Sequence, residues 1–121
     1  MTAPALDPNG ELVTFDVSRA DASGVLRASG EIDSTTAPLL NTHLTELLDA
    51  EVRELVVDLQ GVSFLDSAGL CVLATVHRRA ARQDARMRVL ASSRAVIRPL
   101  QITGLWDLLR AEQVSEAERV A

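Results

Sequence analysis

Between residues 11 and 59 the hydrophobic pattern changes period twice, and that alternation excludes most folds. In "ELVTFDVSR" (residues 11–19) Val13, Phe15 and Val17 alternate with Thr14, Asp16 and Ser18, the repeat of a half-buried strand. After the turn chemistry of "ADASG", alternation resumes in "VLRASGEI" with Leu26, Ala28, Gly30 and Ile32 inward, so the two segments should pair as a hairpin. Beyond "DSTTAP" the spacing becomes helical: Leu40, Leu44, Leu47 and Leu48 share one face, and Asn41, Thr45 and Asp49 the other. Thr35 or Thr36 can cap this helix, and Pro38 is tolerated in a first turn that needs no intrahelical N–H. "ELVVDL" (residues 54–59) then returns to strand. It is apolar enough to predict burial on both faces and a central, parallel position, with Gln60-Gly61 as its break.

The remaining elements follow the same logic. A helix is expected from Asp66 or Ser67 to about Gln83, and a buried strand in "RMRVLAS" (residues 86–92). A helix in "SRAVIRPLQITG" should stop at Gly104, with Pro99 costing a hydrogen bond and producing a kink. A short final helix is expected in "EQVSEAERV". Pro4, Pro8 and Gly10 mark residues 1–10 as a loose leader before one domain over residues 11–121. The order β-β-α-β-α-β-α-(α) predicts an α/β domain with one mixed, mostly parallel sheet of about four to five strands and helices packed on it.

Composition narrows the function classes. The chain has 121 residues, 47% of them hydrophobic, and its only aromatics are Phe15, Phe64 and Trp106, so the core must be aliphatic. A net charge of −5 disfavours sequence-independent binding to nucleic acid or anionic membranes. Cys71, the single cysteine, excludes an intrachain disulfide or a CxxC pair; its apolar neighbours suggest a buried small hydrophobe. With neither a signal-peptide pattern nor a run of the ~20 apolar residues that a membrane span needs, a reduced, cytoplasmic setting without membrane insertion is expected. Exposed sheet edges could support a weak homodimer.

The stretch "FLDSAGL" (residues 64–70) falls at the strand-to-helix junction, where open α/β sheets gather their binding loops. A cap explains one polar residue, Asp66 or Ser67. It explains less well why Ser67, Ala68 and Gly69 are all small, which would leave the Ser67 hydroxyl open to another protein. Catalysis by Ser67 is disfavoured. Leu65 stands where a nucleophile elbow needs Gly, and His77 lies roughly 15 Å further along the same helix. His43 sits among the polar residues of the first helix. A phosphate on Ser67 fits the physics best: it would meet a helix N-terminus and add a charge of about −1.5 to −2 beside Asp66. A small hydroxyl permits close docking, and a bulky dianion forbids it.

"GEID" (residues 30–33) before the first helix, followed by "VVDLQGVSFLDSAGL" (residues 56–70), resembles the STAS domain, and within it the anti-sigma factor antagonists. The resemblance spans about residues 11–120. It implies that Ser67 is the serine phosphorylated by a GHKL-type anti-sigma factor serine kinase using ATP and magnesium, and that a PP2C-like phosphatase restores it. The unphosphorylated form would bind the anti-sigma factor and free a sigma factor. Asp66 matches the aspartate before that serine and Asp33 the GxxD aspartate. The partner-binding set it implies is Asp33, Ser34, Asp66, Ser67, Ala68, Gly69 and Leu70. No cofactor, metal or catalytic residue is implied, and the chain would be a kinase substrate and not an enzyme. Ala68 stands where the family often has Ser or Thr, which leaves one acceptor. The alternative is a STAS subunit of a lipid-transport ABC complex or stress-signalling scaffold, independent of phosphorylation.

Blander readings accompany the secondary candidates. Asp33 can be a simple turn residue, and the basic run "HRRAARQDARMR" (residues 77–88) a solvated helix end. Trp106 is expected to pack over a helix end. Leu70 is either an interface anchor or core.

Overall fold

The computed structural model describes residues 2–6 and 12–115. In chain order these form β1 (Thr2–Leu6), β2 (Leu12–Ala20), β3 (Ser23–Ile32), α1 (Ala37–Asp49), β4 (Glu54–Leu65), α2 (Ser67–Arg82), β5 (Arg86–Ala91), α3 (Arg94–Ile102), α4 (Leu105–Leu108) and β6 (Glu112–Gln113). One sheet holds the strands in sequence order. β1, β2 and β3 pair antiparallel, whereas β3, β4, β5 and β6 run parallel. The expected mixed, mostly parallel sheet is therefore present, and two short edge strands extend it.

The periodicities account for the core. Val13, Phe15, Leu26, Leu55, Val57 and Val89 on one sheet face are buried against Leu40, Leu44 and Leu48 of α1 and Leu73 and Val76 of α2. The alternate positions form a polar outer face of cross-strand pairs. Thr14 and Ser29, in register on β2 and β3, share a hydrogen bond. Arg27 and Asp58, in register on β3 and β4, approach to 3.6 Å. Arg88 reaches both carboxylate oxygens of Glu112 at 2.9 and 3.0 Å, and these bonds hold the Glu112 carboxyl below its ordinary range. Because that folded-state value is depressed, the pair's contribution is present above the usual carboxylate range and disappears as pH falls through the lowered value. Both side chains are exposed, so it is small.

Several expectations change. β4 is not buried on both faces, because Val56 and Asp58 are only half-buried on the outer one. Nor does it break at Gln60-Gly61. It runs on to Leu65 through register shifts opposite residues 27–31, and glycine is required there because a Cβ on Gly61 would lie 2.8 Å from Ser29 Cβ. Residues 2–6 of the expected leader form β1; Pro4 is acceptable there because the strand is an edge. Residues 7–11 lie outside the described residues. Glu112 and Gln113 form a strand where a helix was expected. The open edge of β5 satisfies their backbone, and Val114 N–H donates to the Ala91 carbonyl at 2.8 Å, so tertiary pairing overrides helical propensity. Residues 116–120 of that expected helix lie outside the described residues.

β5 is likewise only half a buried strand, with Val89 and Ala91 buried and Arg86 exposed. α3 continues past Pro99, whose missing donor would have bonded the carbonyl of exposed Ala95, a group that water can reach. Gly104, at φ 80°, turns the chain from α3 into α4, an element without a counterpart in the sequence reading. Trp106 is half-buried against the core.

Candidate functional site

Two junctions meet at the carboxyl ends of β3 and β4. The first follows "GEID". Gly30 has φ 96°, a backbone region that favours glycine, which accounts for the Gly of that motif. The Asp33 carboxylate turns into its own loop, where Oδ1 accepts from Thr35 N–H at 2.9 Å and Thr36 N–H at 3.1 Å. Thr36 is buried. Its hydroxyl accepts from Asp33 N–H and donates to the Glu31 carbonyl, each at 3.0 Å. Thr36 therefore occupies the N-cap position of α1 but secures the loop and not the helix. Ser34 is exposed between these residues.

The second junction is "FLDSAGL". Asp66 N–H donates to the Ile32 carbonyl at 3.1 Å, tying this turn to the end of β3. The Asp66 backbone is extended and its Oδ1 accepts from Ala68 N–H at 2.9 Å and Gly69 N–H at 3.3 Å. Of the two candidate caps, Asp66 is the one used, and it leaves Ser67 free of that task. Ser67 is the first residue of α2, is exposed, and its hydroxyl makes no hydrogen bond among the described residues. Asp66→Ala removes the cap and should cost about 1 kcal/mol of stability, measured by urea denaturation, while the Ser67 hydroxyl stays accessible.

The small residues differ in their reasons. Gly69 is buried, and a Cβ there would lie 2.4 Å from Leu65 Cδ1 and 3.0 Å from Ile32 Cγ2. Its smallness lets α2 sit down on the strand ends, so it offers no surface to a partner. Ala68 and Leu70 are half-buried against the core. Leu70 is thus neither wholly core nor wholly exposed.

The sequence analysis did not single out the side chains of Phe64, which opens the second junction, and Leu39, in the first turn of α1, which are 45% and 39% exposed. A large apolar side chain next to the motif, beyond the expected strand end, was the available signal. Cys71 was misread in the opposite sense. It is exposed, because a residue two positions from buried Leu73 and Gly69 lies about 200° around the helix. His43, expected among polar residues, is half-buried with its ring 5.4 Å from that of Phe15. His77 is half-buried, ten residues further along α2 than Ser67.

Among the described residues there is no group of His, Cys, Asp and Glu able to hold a metal ion, and no helix long and apolar enough to cross a membrane. The model of the STAS domain family matches residues 14–119. The chain belongs to the STAS domain family. This STAS domain is similar to the anti-sigma-B factor antagonist of Staphylococcus aureus, with 31% identity over 106 residues that cover 88% of this chain and 98% of that protein. It is 33% identical over 93 residues to the anti-sigma-F factor antagonist RsfB of Mycobacterium tuberculosis, covering 77% of this chain and 75% of that protein. Among solved structures, an anti-sigma factor antagonist from Mycobacterium paratuberculosis superposes with a TM-score of 0.77 at 32% identity, over 88% of this chain and 89% of that one. The STAS domain is thus of the anti-sigma factor antagonist type in both sequence and fold.

Proposed function

We propose that this STAS domain is a cytoplasmic anti-sigma factor antagonist, and that phosphorylation of Ser67 switches it off. The carrying observation is the exposed Ser67 hydroxyl, without a hydrogen bond among the described residues, at the first residue of a sixteen-residue helix whose cap is already supplied by Asp66. Because the Asp66 carboxylate takes the Ala68 and Gly69 N–H groups, a phosphate on Ser67 would find those donors occupied and a like charge beside it. The added charge would remain on the surface, where a docked partner would have to desolvate it.

The unphosphorylated domain binds a GHKL-type anti-sigma factor serine kinase through Ser34, Ser67 and the accessible parts of Asp33, Asp66, Ala68 and Leu70, with Phe64 as an added apolar contact. That kinase transfers phosphate from ATP to Ser67, and a PP2C-like phosphatase removes it. The domain itself is a substrate and a binding module and performs no catalysis.

Incubation with the cognate kinase, ATP and magnesium tests this reading. Phosphate should map by mass spectrometry to Ser67, and Ser67→Ala should accept none. Phosphate on any other residue, or undiminished labelling of Ser67→Ala, would defeat the proposal.

A further inference from the structure

The basic run of α2 has no part in the Ser67 site, and the fold gives it a neighbour that the sequence does not place beside it. α4 brings Leu108, 54% exposed, against the flank of α2. A hollow of about 470 Å³ lies there, lined by apolar Ala74, Ala81 and Leu108 together with Arg78 and Arg82. A second hollow of about 360 Å³ shares His77 and Leu108 with the first and continues past Met87 and Leu109 to Arg86 and Arg110. The two form one groove running from α2 across α4 to the β5–β6 edge.

Most of its charges lack an ion pair among the described residues. Arg78 reaches only the Thr75 hydroxyl at 3.4 Å, and Arg82 only the Arg78 carbonyl at 3.5 Å. Neither these two nor Arg86 and Arg110 have a carboxylate within ion-pair distance among the described residues. Glu112, the acidic residue lining the groove, is taken up by Arg88. In a chain of net charge −5, Arg78, Arg82 and Arg110, with Arg86 sharing Glu112 with Arg88 at longer range, make the apolar hollow a local reversal of sign. All twelve basic residues of the chain are arginine, whose planar fork binds carboxylates in pairs.

We infer that this groove docks an acidic segment of a protein partner, one that places an apolar side chain over Leu108 and carboxylates against Arg78, Arg82, Arg86 and Arg110. Apolar lining adds nothing for a sugar-phosphate backbone, whereas a protein segment can set an apolar side chain beside its carboxylates. Arg78 follows Ser67 by eleven residues on α2, about 16 Å along the helix axis. The groove therefore stands clear of the phosphorylatable serine, and a partner can hold it whether or not Ser67 is modified.

Fluorescence anisotropy tests this with the full chain and a labelled synthetic peptide of glutamate and leucine, the leucines three and four positions apart. The expected result is saturable binding. It should weaken roughly tenfold in an Arg78→Ala, Arg82→Ala double variant and similarly in Leu108→Ser, and it should decline with added salt. Ser67→Asp should bind the peptide as the wild type does, which separates this surface from the phosphorylation switch. Thermal melts check that these exposed substitutions leave the fold intact. Peptide binding unchanged in both groove variants, or stronger binding of a single-stranded oligonucleotide or of phosphatidylserine vesicles than of the peptide, would overturn the inference.

Discussion

Ser67→Asp is expected to weaken capture of the anti-sigma factor by at least about 100-fold, whereas Ser67→Ala should stay within about tenfold of wild type; burying an unpaired charge at an interface costs 2–5 kcal/mol or more, and losing one hydroxyl costs far less. The asymmetry follows from the site. Asp66 already holds the early N–H groups of α2, so a new carboxylate at position 67 gains no helix donors beyond its own neighbourhood and sits next to a like charge. Any partner close enough to touch Ser34 and Phe64 would have to strip water from it. Isothermal titration of the purified kinase against the three proteins reads the effect directly. Wild-type affinity in Ser67→Asp would mean that the serine is only a surface residue of a constitutive binding module.

Phe15→Ala should lower stability by about 3–5 kcal/mol, near the top of the range for a single core truncation. Phe15 is fully buried, and it is the one aromatic in an otherwise aliphatic core, since Phe64 is exposed and Trp106 is only half-buried. It lies on β2, between the β3 hairpin partner and the face that receives α1, with His43 against its ring. Since domains of this size have about 5–15 kcal/mol in total, the variant should unfold at a markedly lower temperature and lose up to half or more of its reserve. Calorimetry showing a melting temperature within a few degrees of wild type would mean that α1 collapses onto the gap. Ser67 lies on a different element, so kinase labelling of the folded fraction should persist.

Much of the fold was legible because its signals are local. The leucines of α1 and the alternation in β2 and β3 lie at the spacing that buries one face, and the structure buries those residues. The motif itself was legible too. Asp66-Ser67 at the start of α2 is the capping chemistry of a helix N-terminus, whereas Gly69, read as part of an open surface, is small because it packs on Leu65 and Ile32. The misreadings share one cause. Gly61 resembled a strand break because a bulge that needs glycine cannot be told from a turn without the neighbouring strand. Residues 112–113 read as helix because nothing near them in sequence announces the edge of β5.

By itself, then, the sequence determined the order of the elements from β2 to α3, the aliphatic core and the position of Ser67 at a helix start, since period and capping chemistry act over a few residues. Tertiary structure alone decided which face of α2 meets the sheet. From that single orientation follow the burial of Gly69, the exposure of Cys71 and Ser67, and the meeting of Leu108 with the α2 arginines. Each depends on contacts between segments far apart in the chain, where burial energy and steric fit choose among arrangements that local propensity leaves equal.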